Sequence, residues 1–172
     1  LFSLIALLAV VGLFASNLRA SQSPGWGVVV ATNAFVAHGE GADVPVAIGA
    51  TIGQGARIAT KAGGALVLTR GEDLVTMAEN SQITIADPQP LNATLIQQAT
   101  GDVRYHVTKG PAPHFEVDTP LLATVVKGTT FRVTSGIGGS SVTVSEGRVV
   151  AKDRRSDKSA SVGAGETGSV DT

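Results

Sequence analysis

The sequence predicts an all-β fold, a single domain of about ten or more short strands forming a β-sandwich or β-roll behind an N-terminal hydrophobic helix. First, the chain is rich in β-branched residues and poor in aromatics, with five Phe, one Trp and one Tyr among 172 residues. Such side chains suit a pleated surface. Second, short apolar or alternating runs are separated by Gly, Pro, Asn and Asp. Third, no run outside the N-terminus has the apolar spacing of an amphipathic helix.

Residues 1–20 are predicted to be a signal peptide or a membrane anchor. Residues 1–14 carry no charge, and Ala20 is a small residue at a plausible cleavage point. An anchor would need about 20 apolar residues. Both alternatives predict that the remainder is periplasmic or otherwise extracytoplasmic. The predicted organisation is a signal or anchor over 1–20, a linker over 21–27 and a β domain over 28–172.

The strands of the N-terminal half are predicted from short apolar or alternating runs. Pro45 indicates an edge or strand-start position, because proline has no N–H to donate to a sheet. Arg70-Gly71-Glu72-Asp73 indicates a tight turn. Trp26, at the start of the domain, has two interpretations, an anchor at a membrane surface or a packed core residue. The predicted strands are Val28–Thr32, Ala34–Ala37, Val44–Ile48, Arg57–Thr60, Ala65–Thr69, Leu74–Ala78 and Ser81–Ala86.

The C-terminal half alternates more regularly. Ala93–Ala99 has some helical propensity, but we predict a strand because Gly101 and the alternating segment 103–107 follow directly. Asp153–Ser159 is predicted to be a charged turn. The other predicted strands are Phe115–Asp118, Leu122–Val126, Thr130–Thr134, Ser141–Ser145, Arg148–Lys152 and, as a final strand, Ser161–Thr167.

Composition excludes several classes of function. The formal net charge is −1, with 13 basic and 14 acidic residues. A nucleic-acid partner is therefore not expected, since it requires a basic surface that releases counterions from phosphate. The absence of Cys excludes disulfides, zinc-thiolate sites and thiol nucleophiles.

The three histidines do not have the spacing of a metal site. His38, His106 and His114 are far apart in the sequence, and we expect ordinary surface histidines. One alternative is that His106 and His114 converge with Glu116 or Asp118. The sequence predicts no metal-ligating residue.

The sequence contains no recognisable catalytic motif either. The Gly-x-Ser-x-Gly motif, which holds the nucleophilic serine of many hydrolases, does not occur. Gly136–Ser141 is glycine-rich but lies between two predicted strands, which indicates a hairpin tip and not a phosphate-binding loop. Carboxylates occur, but the sequence does not pair them at a catalytic separation. We therefore expect no catalytic or cofactor-binding residue, no cofactor and no enzymatic activity. The carboxylates considered are Glu40, Asp43, Glu72, Asp73, Glu116 and Asp118.

The order of motifs resembles that of the FecR family. The resemblance runs from about Trp26 to Thr167 and is most specific in the C-terminal half. Each motif also has a structural explanation: Gly128 indicates a bulge or close backbone approach, and Gly147 a hairpin turn with positive φ. The motifs are Thr119-Pro120, Lys127-Gly128-Thr129 followed by Phe131, Val144-Ser145-Glu146-Gly147, and Ala164-Gly165-Glu166.

The resemblance implies a regulatory role. FecR-like proteins are inner-membrane regulators that receive a signal from a TonB-dependent siderophore receptor and control an extracytoplasmic sigma factor. The sequence shows neither the cytoplasmic anti-sigma segment nor the second periplasmic domain of that system, so we expect an exported FecR domain that stands alone. Its expected partner is another envelope protein, a receptor or a regulator, bound at a sheet edge. The alternative is a structural or glycan- and cell-wall-associated β domain.

Overall fold

The computed structural model describes residues 25–86 and 93–172, and these two ranges form fourteen strands and no helix. The all-β prediction is thereby confirmed. Within the same ranges, no helix has the length and apolar character required to cross a membrane. The predicted signal or anchor, residues 1–20, lies outside the described residues. The strands are β1 (Trp26–His38), β2 (Val44–Pro45), β3 (Thr51–Ile52), β4 (Ala56–Arg70), β5 (Asp73–Met77), β6 (Gln82–Ala86), β7 (Thr94–Val107), β8 (Phe115–Asp118), β9 (Leu122–Val126), β10 (Thr129–Gly136), β11 (Gly139–Glu146), β12 (Arg148–Asp153), β13 (Ser159–Gly163) and β14 (Thr167–Asp171).

Three long strands, β1, β4 and β7, change partners or register partway along their length. Each does so near a residue with positive φ: Asn33 (φ 43°), Gly63 (φ 69°) and Gly101 (φ 95°). Gly101 is required for a second reason, because a Cβ at this position would collide with Ser81. These irregularities let one strand contribute to two packed layers, as β-bulges commonly do at the corners of sheets.

The two layers are parts of one continuous hydrogen-bonded sheet. β7 and β8 pair in parallel, and the other strand pairs of the described residues are antiparallel. The layers face each other as in the predicted sandwich, and the three long strands join them. Layer 1 comprises β3, residues 26–32 of β1, residues 65–70 of β4, β5, residues 101–107 of β7, β10, β11 and β14. Layer 2 comprises β2, residues 34–38 of β1, residues 56–60 of β4, β6, residues 94–100 of β7, β8, β9, β12 and β13.

Aromatic side chains hold the layers together at the centre of the core. Trp26 and Tyr105 of layer 1 both meet Phe115 of layer 2 edge to face, with ring centroids 6.4 and 5.9 Å apart. Tyr105 also stacks on Phe131 at 5.1 Å. All four rings are almost fully buried, and these geometries are favourable for aromatic pairs. Trp26 is therefore a packed core residue.

A buried polar pair also connects the layers. The Tyr105 hydroxyl donates to Oε1 of Gln98 at 3.0 Å, and the Gln98 amide donates to the carbonyls of Gly101 and Val133, each at 3.0 Å. Burial raises the pKa of Tyr105 well above its usual value, which keeps the hydroxyl protonated. Gln98 is fully enclosed yet satisfied, so burial of its amide is not penalised.

The predicted break inside β4 is wrong. Arg57–Thr60 and Ala65–Thr69 belong to one strand, since β4 pairs with β1 on both sides of Gly63. The strand predicted for Ala93–Ala99 begins at Thr94 and continues through Gly101 to Val107 as β7. In both strands a glycine with positive φ lies inside the strand without ending it.

Three other predicted features also differ from the structure: the final strand, the turn at Gly147 and the start of the first strand. The predicted final strand Ser161–Thr167 is divided between β13 and β14 by a turn at Gly165 (φ 82°) that carries the chain from layer 2 to layer 1. Gly147 has the expected positive φ (84°) but joins strands that do not pair, so it is not a hairpin turn. β1 begins at Trp26, within the predicted linker 21–27, because Trp26 already pairs with Ile52.

Other local predictions are confirmed. Pro45 lies in the short edge strand β2, which pairs with β1 alone. Residues 70–73 form the turn between β4 and β5, and Gly71 has a positive φ of 62°. Gly128 (φ 145°) is a site of close approach, since a Cβ there would lie 2.5 Å from Cα of Lys109.

Candidate functional site

The histidines are dispersed among local partners. Nδ1 of His106 lies 2.9 Å from Oγ1 of Thr130, and Nδ1 of His114 lies 3.1 Å from the Ala112 carbonyl. His38 is exposed at the end of β1. The alternative in which histidines converge with Glu116 or Asp118 is not observed, because no group of three potential metal ligands lies within residues 25–86 and 93–172.

The glycine-rich segment Gly136–Ser141 forms the tip of the β10–β11 hairpin, as predicted. Ile137 at this tip is 98% exposed. The segment is followed by strand β11, so no helix N-terminus is available there to hold a phosphate.

The outer face of layer 1 is polar, and its side chains bind one another across neighbouring strands. Such cross-strand pairs stabilise a sheet and satisfy the groups that form them. Arg104 lies directly opposite Arg132 in the β7–β10 register. The cross-strand pairs are His106 with Thr130 (2.9 Å), Thr134 with Ser141 (2.7 Å), Thr143 with Thr167 (2.9 Å), and Arg132 with the carboxylate of Asp102.

The outer face of layer 2 presents apolar side chains to solvent, as the outer face of layer 1 does with Val30 (42% exposed) and Leu74 (39% exposed). Val125 is 37% and Val150 is 49% exposed, and Leu95 is half-buried. The strand registers place these residues and Glu116 in one row that crosses five strands. In order, the row is Leu95 on β7, Glu116 on β8, Val125 on β9, Val150 on β12 and Ser161 on β13.

Asp118 lies in the adjacent row of the same face, opposite Gln97. Its Oδ2 receives a hydrogen bond from Nη1 of Arg154 at 2.5 Å. Its Oδ1 is buried and has no hydrogen-bond partner among the described residues. An open depression of about 340 Å³ lies beside this carboxylate, between Gln97 and Arg154.

Glu116 and Asp118 are electrostatically coupled. They are separated by one residue on β8, so both project from the outer face. Partial burial, and then the Asp118 carboxylate, raise the pKa of Glu116 above its ordinary value, and Arg154 opposes the shift more weakly. The pair therefore carries negative charge that one arginine does not balance.

The edge strands β13 and β14 each have a charged side chain at one end. The Glu166 carboxylate accepts a hydrogen bond from the Gly163 N–H at 2.6 Å, and the Arg155 guanidinium donates to the Asp171 carbonyl. Charged groups at an edge discourage uncontrolled strand pairing. The Gly163 N–H thus points away from β12, the neighbouring strand. Because alternate N–H groups of a strand point the same way, the N–H groups of Ser159 and Ser161 also point away from β12.

The sequence predicts only part of this face. The alternation in Phe115–Asp118 indicates that Glu116 and Asp118 share a face, but it pairs neither carboxylate with another residue. Arg154 belongs to the predicted charged turn Asp153–Ser159, and in the structure it reaches Asp118 across 36 positions of sequence. No local signal connects these residues, because the β8–β9–β12 pairing alone brings them together.

Comparison with solved structures shows the fold. Two crystal structures of a candidate anti-sigma factor from Parabacteroides distasonis ATCC 8503 match with a TM-score of 0.59 and 18% sequence identity. Each match covers 67% of this chain and 54% of the other, so this chain corresponds to about half of those structures. No curated protein matches the sequence.

Comparison with family models shows the family. The model of the FecR protein family matches residues 56–150, which is more than half of the chain. The matched segment begins with β4, ends within β12 and includes Gly128, Gly147 and the acidic pair on β8. The resemblance in the order of motifs is thereby confirmed, and the chain belongs to the FecR family.

Proposed function

We propose that this chain is a non-enzymatic signal-transduction module of the bacterial envelope that acts by binding another envelope protein. The FecR family supports the general class, a regulatory module. The proposal adds an extracytoplasmic location, consistent with the apolar residues 1–14, and a link to iron- or siderophore-responsive control of a sigma factor.

The observation that carries this proposal is the free edge of β13. This strand pairs with β12 on one side, and its residues Ser159–Ser161 are exposed. The carboxylate of Glu166 covers only the far end, at Gly163. A strand of a partner protein could hydrogen-bond to the outward groups of Ser159 and Ser161, which is a common mode of peptide recognition.

Site-specific photocrosslinking in the native host tests the proposal. A photoreactive residue replaces Ser161, and in a matched control it replaces Thr76, which is exposed on layer 1. We expect a discrete crosslinked partner at Ser161 but not at Thr76, with a yield that differs between iron-replete and iron-starved cells. Equal labelling at the two positions, or none at Ser161, contradicts the proposal. An iron-independent yield removes only the link to iron.

A second candidate is a cell-wall-associated structural domain, and the outer face of layer 1 favours it. That face carries many hydroxyl groups, including those of Thr130, Thr134 and Thr143. Co-sedimentation of the purified chain with peptidoglycan is expected if this second function is correct. Since the hydroxyls already bind one another, we consider protein binding the better-supported function.

A further inference from the structure

Four of the eight exposed large apolar side chains of the described residues lie along one edge of the sheet. Residues 44–52 follow β1 there, because β2 and β3 both pair with β1 and the Gly49 N–H donates to the Val28 carbonyl at 2.8 Å. Val29 and Ile48 directly adjoin this hydrogen bond in the chain. The four side chains, called here the β1 edge patch, are Val29 (47% exposed), Val30 (42%), Val44 (56%) and Ile48 (68%).

The two segments that form this edge carry no charge. No Asp, Glu, Lys, Arg or His occurs in residues 25–37 or 44–56. An apolar surface of this kind can leave water without removing the hydration of an ion. Exposed apolar residues elsewhere have titratable neighbours in the strand register, namely Glu116 opposite Val125 and His106 opposite Leu74.

The charged side chains that flank the edge come from β4 and from the loop between β1 and β2. Most of them are held by neighbours within the described residues. His38 and Glu40 are exposed, beyond the far end of β1 from Trp26. The side chains held by neighbours are Arg57, paired with Asp43, Lys61, over the Phe35 ring at 4.2 Å, and Arg70, over the Trp26 ring at 4.5 Å.

This edge is poorly suited to strand addition. β2 and β3 have two residues each, and Pro45 of β2 has no N–H to donate. A partner strand would therefore find no continuous row of backbone groups. The occupant that fits is one that accepts apolar side chains and requires no hydrogen bond from the protein. The interfacial region of a lipid bilayer meets both conditions.

The path of the chain brings the same edge to a bilayer when residues 1–20 act as the predicted anchor. The chain enters the domain through β1, which carries half of the patch. Ten residues, 15–24, separate the uncharged run 1–14 from Gly25. Ten extended residues span at most about 35 Å. The anchor therefore tethers the domain by the strand on which the patch lies.

We propose that the domain rests on the surface of a lipid bilayer through the β1 edge patch, with the side chains of Val29, Val44 and Ile48 in the interfacial region. β13 lies at the opposite end of the strand order from β2, so this orientation leaves the free edge of β13 accessible to a partner protein. The inference goes beyond the proposed function, because it assigns a lipid-binding surface and does not depend on which protein binds β13.

Fluorescence quenching on the full chain tests the proposal. The chain has no Cys, so one substitution places a single environment-sensitive fluorophore. Chains labelled at Val44→Cys or Ile48→Cys are reconstituted into vesicles of phosphatidylethanolamine and phosphatidylglycerol, with or without a nitroxide on the acyl chains. The matched controls are Val125→Cys and Ile137→Cys, the latter on β10–β11, about 19 Å from β1 across four strand spacings.

We expect the nitroxide lipids to quench the labels on the patch on the order of threefold more than the control labels, because the patch enters the interfacial region. Equal quenching at the four positions, or none on the patch, overturns the proposal.

A charged variant tests whether apolar contact holds the edge on the lipid. Val30→Asp should reduce quenching of the Ile48→Cys label to the level of the controls, because a carboxylate resists transfer out of water. Val150→Asp, at a similarly exposed valine of β12, should leave it unchanged. Circular dichroism verifies that each variant folds, and the comparison of label positions does not depend on these variants. Unchanged quenching in Val30→Asp contradicts the proposal.

Other outcomes are distinct. Blue-shifted emission on the patch that nitroxide lipids do not quench, and that disappears on dilution of the chain, would identify a second copy as the occupant and contradict the proposal. Crosslinking at Ser161 without quenching on the patch would overturn this inference and leave the proposed function intact. Quenching on the patch without a crosslink at Ser161 would support this inference and contradict the proposed function.

Discussion

The outer faces of the two layers share three long strands but differ in how their polar side chains are paired. On layer 1, hydroxyl, imidazole and guanidinium groups bind one another, as between Thr143 and Thr167 or between Arg132 and Asp102. On layer 2, a buried carboxylate oxygen of Asp118 has no partner among the described residues. A face whose polar groups bind one another is stabilised by them, whereas a buried acceptor without a partner is a cost to the fold. The two faces therefore differ in how completely their polar groups are satisfied and not in how much apolar surface they expose.

The largest expected effect distinguishes the inner from the outer side of layer 2. Phe115→Ala removes the ring that contacts both Trp26 and Tyr105, and we expect the free energy of unfolding to fall by about 3–5 kcal/mol. Urea denaturation measures this loss. Val125→Ala on the outer face is the control, with an expected loss below about 1 kcal/mol. Similar losses for the two variants would show that the aromatic cluster does not join the layers.

A smaller loss is expected from the outer face of layer 1. Arg132→Gln breaks the exposed ion pair with Asp102 and should lower the free energy of unfolding by about 0.5 kcal/mol. Because Arg104 lies opposite Arg132, Arg104→Gln removes a repulsion and should cause no loss. Urea denaturation at low and high NaCl tests both expectations, since salt should reduce the Arg132→Gln effect. A larger loss for Arg104→Gln than for Arg132→Gln would contradict the stabilising ion pair of Arg132 and the repulsion between the two arginines.

The smallest effect has the opposite sign and concerns layer 2. The pKa of Glu116 is raised in the folded chain above its ordinary value of 4.5. The folded state therefore holds this proton more strongly than the unfolded state, and the stabilisation from protonation is lost as pH rises through the folded pKa. Glu116→Gln should become more stable relative to the native chain as pH rises from about 4 to 7.

The groups that act on Glu116 are Asp118, on the same strand, and Arg154, from the β12–β13 turn. Urea unfolding midpoints across this pH range measure the difference, with Glu72→Gln as the control for loss of one carboxylate elsewhere. A stability difference that does not change with pH would contradict the raised pKa of Glu116, which arises first from burial and then from the Asp118 carboxylate.

The sequence predicts local features of this fold because they depend on local chemistry. The alternation around Val142 and Val144 indicates β11, and Pro45 indicates an edge strand. Gly128 is correctly predicted to allow a close approach. These features depend on side-chain periodicity, a missing N–H or a missing Cβ.

Features that depend on distant partners could not be predicted in the same way. Residues 61–64 suggest a break, yet β4 continues because β1 hydrogen-bonds to both of its halves. The contact of Arg154 with Asp118 requires knowledge of which strands pair. The distinction between the two outer faces follows from register, and a one-residue change of register would exchange inner and outer side chains.

The passage of β1, β4 and β7 through both layers has a consequence for cooperativity. Neither layer can open without disturbing strands that the other needs, so we expect amide hydrogen exchange to report one common unfolding event for the central strands. A chain truncated after β7 would lose β8 and β10, which flank the two halves of that strand. β8 and β10 are therefore linked through one continuous strand, so local opening of one is expected to weaken the pairing of the other.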